Sequence, residues 1–295
     1  YGLKVYECDL NEVLRQSEES GILYNATMIR QMITHDDITQ LPKIHFAGYS
    51  DIKPMPGAEL IEALADSYHH VGLDDTIVVT RSNKRANIFN QGIRNMVLDR
   101  EEELSQGDIL MIVKNNYYWM EEERKSKNEL QSNVIPAFLA NGDRANVLKV
   151  RRRIDLYGFR FATLLLQFPD YDNYELEATV LLDTLTSEAP ALTHEQQEQL
   201  FHQIEEDYQD IPLKTDRMKA IRQNQFFNAL QVKFAYAVTC HKAQGGQWAH
   251  VYVDQGYMTD DMLNPDYIHW LYTAFTRATE MLYLVNWPET QTVQC

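Results

Sequence analysis

The chain has 295 residues, a hydrophobic fraction of 44% and a formal net charge of −16. This length can bury a sizeable core, so the fold does not depend on disulfides. No apolar run approaches the ~20 residues that span a bilayer, and no signal peptide begins the chain, so the sequence predicts a cytoplasmic protein without a membrane partner. The acidic balance disfavours a strong non-specific nucleic-acid binder, although it leaves room for a narrow basic track.

Three widely spaced cysteines, Cys8, Cys240 and Cys295, are typical of a reducing cytosol rather than of a disulfide framework. Cys240 and His241 are adjacent, but no second pair follows at zinc-ligand spacing, so no metal site is predicted. The chain does not begin with Met, which favours a piece of a longer protein cut at a domain boundary.

The first hundred or so residues alternate between helical and strand patterns. Helical spacing of apolar residues covers 9–33, with a break near Gly21, and recurs over 59–71. Residues 74–80, DDTIVVT, are predicted as a strand, and residues 82–98 as a helix. Helix, strand and helix in this order predict an α/β layer with parallel strands.

The pattern changes near Leu104. Short alternating segments separated by Gly-Asp, Asn-Gly-Asp and Pro-Asp turns predict a small antiparallel β-barrel; they are QGDILMIVKNNYYW, NGDRANVLKVRRR, FRFATLLLQF and YELEATVLL. Helical spacing then returns. Next come the predicted strand VKFAYAV, the stretch TCHKAQGGQW, the strand HVYVD, the helix NPDYIHWLYTAFTRAT and the strand MLYLVN. The simplest organisation is an α/β domain in two pieces, 1–104 and 231–295, interrupted by a barrel (105–190) and a helical return (191–230).

TCHKAQGGQW, residues 239–248, has the composition of a site. Ligands bind at the carboxyl ends of strands in an open parallel sheet, and this stretch and residues 80–84 both follow predicted strands. Gly245 and Gly246 permit positive φ, so the loop could present N–H groups to an anion. A tight strand connection with incidental polar residues is the open alternative. A phosphate-binding loop of the form GxxxxGK[ST] occurs nowhere in the chain.

An arginine lies at the end of the helix that follows. Thr273 and Arg277 are four residues apart and share a face, whereas Ile268, Leu271 and Phe275 can face the sheet. A surface arginine with a buried stem is the ordinary reading. The functional alternative is a guanidinium aimed at a phosphate, because its planar fork suits that group.

These stretches resemble a known family. TCHKAQGGQW followed by WLYTAFTRATEMLYLV resembles motifs V and VI of superfamily 1 helicases, most closely the RecD-like branch of exodeoxyribonuclease V alpha subunits. EVLRQSEESGIL, with Arg15, resembles the opening of the second motor domain in that branch. GDILMIVKNNYYW and NGDRANVLKV resemble its inserted SH3-like barrel. The fold that this resemblance implies is α/β: a RecA-like second motor domain of the P-loop-NTPase type with a small inserted antiparallel β-barrel.

The resemblance also implies a split ATP site. The phosphate loop, ATP and Mg²⁺ would belong to an N-terminal motor domain that this chain lacks, while Arg277 and Arg15 would reach the γ-phosphate. The residues implied on the nucleotide side are Gln244, Gly245, Gly246, Gln247 and Thr276. Those implied to contact single-stranded DNA are Thr239, His241, Lys242, Thr80 and Asn83. Many relatives carry an acidic residue where this chain has Gln247, so sugar recognition is expected to be altered rather than lost.

The implied function is the C-terminal half of an ATP-dependent DNA helicase, inactive as an ATPase without its own N-terminal motor domain and with nuclease subunits as further partners in DNA repair or recombination. Tyr117, Tyr118, Trp119 and the basic segment 149–153 could line the DNA track by stacking and charge neutralisation; packing within the barrel strands is the alternative. A catalytically inert motor-like module that mediates protein–protein contacts is the competing class. A nuclease has little support, because no compact carboxylate cluster occurs.

Overall fold

The computed structural model describes residues 19–35, 39–126 and 135–293. Arg15 and the rest of the segment that opens the predicted motor domain lie outside them. The helices are α1 (Gly21–Thr34), α2 (Leu60–His70), α3 (Asn83–Gly92, continued by a π-helical turn, Ile93–Val97), α4 (Tyr118–Ser126), α5 (His194–Glu206), α6 (Lys214–Arg222), α7 (Cys240–Ala243) and α8 (Pro265–Phe275). The strands are β1 (Ile52–Met55), β2 (Thr76–Thr80), β3 (Ile109–Ile112), β4 (Arg144–Leu156), β5 (Phe159–Phe168), β6 (Tyr174–Leu181), β7 (Leu230–Phe234), β8 (Ala237–Thr239), β9 (Trp248–Asp254) and β10 (Ala278–Val285).

Polar side chains start several of these helices. Ser20 accepts a hydrogen bond from the backbone N–H of Leu23 at 3.1 Å, so α1 begins at Gly21, where the sequence predicted a break. Ser82, Thr193 and Asn264 cap α3, α5 and α8 in the same way. No helix in the described ranges is long and apolar enough to span a bilayer.

Five parallel strands form an open sheet in the order β1-β10-β9-β2-β8. Every residue of β2 is buried, because the sheet is covered by helices on its faces, and such strands are apolar throughout instead of alternating. Helix α3 packs on β2 and β8, and α1 packs on α8. The predicted α/β layer with parallel strands is therefore confirmed.

A second sheet, β3-β4-β5-β6-β7, closes into a five-stranded barrel, as the turn pattern predicted. Four of its strand pairs are antiparallel, as predicted, whereas β6 and β7 are parallel, so the antiparallel prediction fails for that one pair. Parallel neighbours require a long crossover. Here α5 and α6 form that crossover and bring β7 back in the direction of β6.

The run VKFAYAV is two strands rather than the single predicted strand. Leu230–Phe234 belongs to the barrel and Ala237–Thr239 to the parallel sheet, with only Ala235 and Tyr236 between them. Both halves are buried, so no change in hydrophobic periodicity marked the break. The sequence boundary at 230/231 thus falls at a barrel strand.

A buried charged cluster joins the barrel to the sheet. Asp108, which has no solvent exposure, accepts hydrogen bonds from Arg94 Nε and Nη2, both at 3.0 Å. Its Oδ1 also accepts from Arg100 Nη1 at 3.0 Å and from the Tyr236 hydroxyl at 2.9 Å. Burial raises the pKa of Tyr236 above its usual value. The residue before the first barrel strand is therefore fastened to α3 and to the link between β7 and β8.

Candidate functional site

The stretch TCHKAQGGQW runs from the side of the sheet where the strands end, the carboxyl edge, to the side where they begin, the amino edge. Thr239 is in register with Thr80, and Thr80 with Asp254, so these residues mark the carboxyl edge. Trp248, by contrast, begins β9 at the amino edge, opposite Ala278. The expectation that the whole stretch lies at the carboxyl edge was wrong, because β8 and β9 are parallel and their connection must return to the start of the next strand.

The two positions 245 and 246 of this loop require glycine for different physical reasons. Gly245 has a φ of +85°, a left-handed conformation that favours glycine. At Gly246 a Cβ atom would lie 2.3 Å from the Cη2 atom of Trp248, so the indole ring leaves no room for a side chain. The Gly246 N–H donates to the Ala243 carbonyl at 3.2 Å. This amide serves the turn itself, whereas the sequence suggested that it could bind an anion.

Arg277 lies just beyond the end of α8 and ties the loop to that helix. Its Nη1 donates to the Gly246 carbonyl at 2.9 Å, and its Nε donates to the Thr273 carbonyl at 3.0 Å. Its Nη2 donates to the Thr276 hydroxyl at 3.1 Å. The backbone N–H of Trp248 in turn donates to the Arg277 carbonyl at 3.0 Å. The structure thus brings together Arg277, Thr276 and Gly246, which the sequence assigned to the nucleotide side.

A cleft of about 650 Å³ separates this loop from the barrel. The loop side consists of His241, Lys242 and Gln244 through Trp248, and the barrel side includes Asn141, Gly142, Arg144 and Asp170. Lys242 is half-buried, its Nζ donates to Asn141 Oδ1, and burial lowers the pKa of its ammonium group. Residues predicted for nucleotide and residues predicted for DNA therefore share one cleft. The sequence did not identify Asn141 and Arg144 as site residues. The Asn-Gly-Asp turn was the signal that could have indicated them.

A smaller cleft of about 310 Å³ lies between the loop and α8, lined by His241, Gln244, His269 and Trp270 among others. His241 and Gln244 therefore face both clefts. The thiol of Cys240 is buried and donates to the Trp270 carbonyl at 3.5 Å, and burial raises its pKa to about 12.

Three predicted DNA contacts, Thr239, Thr80 and Asn83, are not among the residues that line the larger cleft. Thr80 is fully buried, and its hydroxyl is bonded to the carbonyls of Ser82 and Val238 at 3.1 and 3.3 Å, so it supports the sheet edge, and its contact with DNA stays a prediction. Asn83 is half-buried in the first turn of α3. The same edge holds an ion pair between Arg85 and Asp254. The Arg85 Nε and Nη2 atoms donate to the Asp254 carboxylate at 2.8 and 2.7 Å. The sequence did not reveal this pair, because the two residues are 169 positions apart.

The basic segment 149–153 is partly neutralised. Arg151 pairs with Glu177 at 2.7 Å and Arg153 with Glu102 at 3.2 Å. In the parts of the chain that the structure covers, Lys149 and Arg152 make no ion pair and both are exposed. Two cations of the predicted track therefore remain available to an anionic partner.

The aromatic trio lies at the start of α4, and not in a barrel strand as the packing alternative assumed. The Tyr118 hydroxyl and the Trp119 indole N–H are tied to backbone carbonyls, at 3.0 and 2.9 Å. Tyr117 is 53% exposed and stacks on Phe138 with ring centroids 4.8 Å apart. Tyr117 is thus the member of the trio whose ring is open to solvent.

Known proteins share part of this arrangement. Residues 234–285 match the family described as the UvrD-like helicase C-terminal domain. No curated protein has a detectable similarity to the chain. Among solved structures, the chain is similar to a Pif1 helicase from Bacteroides in complex with ADP-AlF3 and ssDNA, at 12% identity and a TM-score of 0.43, over 96% of this chain and 53% of that one. It is also similar to a Pif1 helicase from Candida albicans, at 12% identity and a TM-score of 0.43, over 96% and 57% of the two chains.

A third solved structure, of DNA unwinding at forked dsDNA by two coordinating Pif1 helicases, matches at 10% identity and a TM-score of 0.42, over 96% of this chain and 51% of that one. The chain spans about half the length of the solved structures that it matches. The matched segment 234–285 contains both TCHKAQGGQW and Arg277. The match of this segment to a helicase C-terminal domain agrees with the coarser part of the predicted resemblance.

Proposed function

We propose that the chain is the second motor half of an ATP-dependent, RecD-like DNA helicase, with a RecA-like sheet and an inserted SH3-like barrel. The observation that carries the proposal is the position of Arg277. Its guanidinium joins the end of α8 to the Gly246 carbonyl of the loop, within the segment that matches the helicase family. An arginine held in this way can transmit a change at a bound phosphate group to the loop.

ATP would bind between this half and a first motor domain that supplies the phosphate loop and holds Mg²⁺. Phosphoryl transfer depends mainly on positioning and on stabilisation of charge, which an arginine supplies through its fixed cationic fork. Arg277 would contact the γ-phosphate, and Arg15 is the second proposed contact. Gln244, Gly245, Gln247 and Thr276 complete the proposed nucleotide side.

Single-stranded DNA would contact the other end of the same loop. Thr239 lies at the carboxyl edge of the sheet, and His241 and Lys242 follow it toward the cleft. Asn83, at the same edge, remains a proposed contact. Because Arg277 holds Gly246 at the amino edge, a nucleotide-dependent shift of Arg277 would be passed along the loop to these residues. Nuclease subunits, a role in repair or recombination and a cytoplasmic location belong to the RecD-like form of the proposal.

The alternative is a catalytically inert module for protein contacts in a DNA-processing complex. The observation that favours it is the acidic surface: the net charge is −16, and Glu102 and Glu177 neutralise half of the basic segment. Such a surface repels nucleic acid.

An Arg277→Ala substitution in the natural full-length protein, including whatever precedes Tyr1, tests the proposal. We expect DNA-stimulated ATP hydrolysis to fall about 10³-fold or more, because an arginine at the γ-phosphate typically contributes that much. The matched control is Arg222→Ala, since Arg222 is exposed at the end of α6. Turnover in Arg277→Ala equal to that of the control would overturn the role of Arg277. A wild-type protein that binds partners but never hydrolyses ATP would identify the inert module.

A further inference from the structure

We propose that Asn141 of the barrel is a positioning residue for Lys242 of the loop, so that the barrel determines where the ammonium group meets a nucleic-acid phosphate. The inference rests on the proposed function, because it assigns Lys242 to DNA. Asn141 itself is not required to touch the ligand. Its role is to hold the cation that does.

The contact between the two residues is the first argument. Lys242 Nζ donates to Asn141 Oδ1, a neutral amide oxygen. Within 19–35, 39–126 and 135–293, Lys242 makes no ion pair with any carboxylate, although Asp170 lines the same cleft. A half-buried ammonium group whose one partner is a neutral amide is not neutralised by a carboxylate and has two further N–H donors. That arrangement suits capture of an incoming anion.

The backbone that carries the Asn141 amide is held by a network of hydrogen bonds in the turn. The backbone N–H of Asn141 donates to Asn115 Oδ1 at 2.7 Å. The carboxylate of Asp143 accepts from the Ala140 N–H at 2.7 Å and from the Tyr171 hydroxyl at 2.7 Å. Gly142, with a φ of +111°, allows the chain to bend between them. The turn is therefore held in place by the barrel, independently of the loop.

A second lysine, which does not itself line the cleft, lies near enough to Lys242 for the two charges to interact. Lys233 of β7 is 9% exposed, and its ammonium group donates to the carbonyls of Thr184 and Ser187. Burial, and to a lesser extent the charge of Lys242, lower its pKa to about 8. Two ammonium groups that repel each other raise the local positive potential, and a phosphate bound by Lys242 would relieve the repulsion.

The decisive variant is Asn141→Asp, which places a carboxylate where the amide oxygen now accepts from Lys242. Binding of a fluorescent oligothymidylate to the full chain would be measured by anisotropy over a range of salt concentrations. We expect about a tenfold or greater loss of affinity at low salt. The slope of log K against log[salt] should become shallower by about 0.7, the value for one phosphate contact to a single strand. Lys242→Ala should give the same slope.

Two controls separate positioning from general effects. Asn95→Asp makes the same change of charge at an exposed residue of the π-helical turn and should leave the slope unchanged. In the Lys242→Ala background, Asn141→Asp should cost no more than Asn95→Asp does. In addition, NMR of ¹³C-labelled lysine should show a higher pKa for Lys242 in Asn141→Asp, because the new carboxylate favours the charged form.

The outcomes distinguish the two proposals. If the wild-type chain binds the oligonucleotide but Asn141→Asp matches Asn95→Asp in affinity and slope, the positioning role is overturned while the proposed function stands. If the wild-type chain shows no saturable binding at any salt concentration, the DNA-binding function is overturned, and the positioning role with it. A further lowering of the slope when Asn141→Asp is added to the Lys242→Ala background would also contradict the positioning role, because that background already lacks the cation.

Discussion

Asp108 is the residue on which the junction between barrel and sheet depends most. Its carboxylate is fully buried and receives two guanidinium groups and a hydroxyl. The sequence marked Asp108 only as part of a Gly-Asp turn. Arg94 lies 14 residues earlier, and Tyr236 lies 128 residues later, so only the tertiary fold brings these partners together. A buried charge of this kind is costly to leave without its partner.

Asp108→Asn tests this dependence. The amide keeps the shape of the side chain but removes the charge, and Arg94 is left buried without a counter-ion. We expect the free energy of unfolding to fall by about 3–5 kcal/mol, as for other broken buried pairs. Urea denaturation measures it.

The control for that experiment is Glu177→Gln, at the exposed ion pair with Arg151. Its loss should be about 1 kcal/mol or less, because solvent screens exposed pairs. Equal losses for the two variants would show that the buried cluster does not stabilise the junction.

At the scale of elements, the loop between β8 and β9 shows what could be predicted from the sequence and what could not. Motif chemistry correctly placed Gly246, Thr276 and Arg277 together, because their order and spacing belong to a recognisable pattern. The same pattern could not show that the loop crosses the sheet from edge to edge. That course follows from the parallel orientation of β8 and β9, which only their long-range pairing with β2 determines.

Gly246→Ala is the sharpest test of how this loop is packed. A Cβ atom 2.3 Å from the Trp248 ring forces either the ring or the loop to move. We expect a loss of about 1–3 kcal/mol in the free energy of unfolding, typical of overpacking. The measurement is again urea denaturation.

Gly92→Ala serves as its counterpart. Gly92 is helical, and a Cβ atom added there would have no neighbour within 4 Å, so alanine should be neutral or slightly stabilising. A Gly246→Ala protein as stable as Gly92→Ala would contradict the packing argument.

The elements that sequence predicted best are those with one periodicity and a local cap, such as α5, whose Thr193 and Gln196 form a capping box. The failures have physical causes. The split of VKFAYAV was hidden because both halves are buried. The parallel pairing of β6 with β7 was hidden because it joins segments on either side of two helices. The helix containing Trp119 was predicted as part of a strand segment, although Asn116, whose side chain accepts from the Trp119 N–H at 3.3 Å, is a local signal for a helix start.

At the scale of the whole molecule, sheet and barrel share one continuous hydrophobic core. It includes Val78 of the sheet and Leu164 of the barrel, both fully buried. A second, smaller core forms where α5 and α6 pack against one end of the barrel, around Phe161, Ile204 and Ile221. The molecule therefore combines a large cooperative unit with a smaller one.

Hydrogen exchange under mild denaturant should reveal these two units. Amides of β2 and of β3 should exchange with the same free energy of opening, because their side chains share one core. Amides of α6 should exchange with a lower free energy, since that helix packs only in the smaller core. Mass spectrometry of proteolytic fragments measures each element. Clearly different opening energies for β2 and β3 would show that barrel and sheet are independent.

The short link between β7 and β8 has a mechanical consequence. Ala235 and Tyr236 are both buried, and the Ala235 N–H donates to the Ile109 carbonyl at 2.9 Å. This link is too short to lengthen when a force is applied to it. Any force applied to the barrel would therefore pass along the backbone through β8 to Thr239, where the loop begins. The barrel and the loop are thus joined by a short backbone link. The stiffness of that link determines how far a force on the barrel displaces the loop.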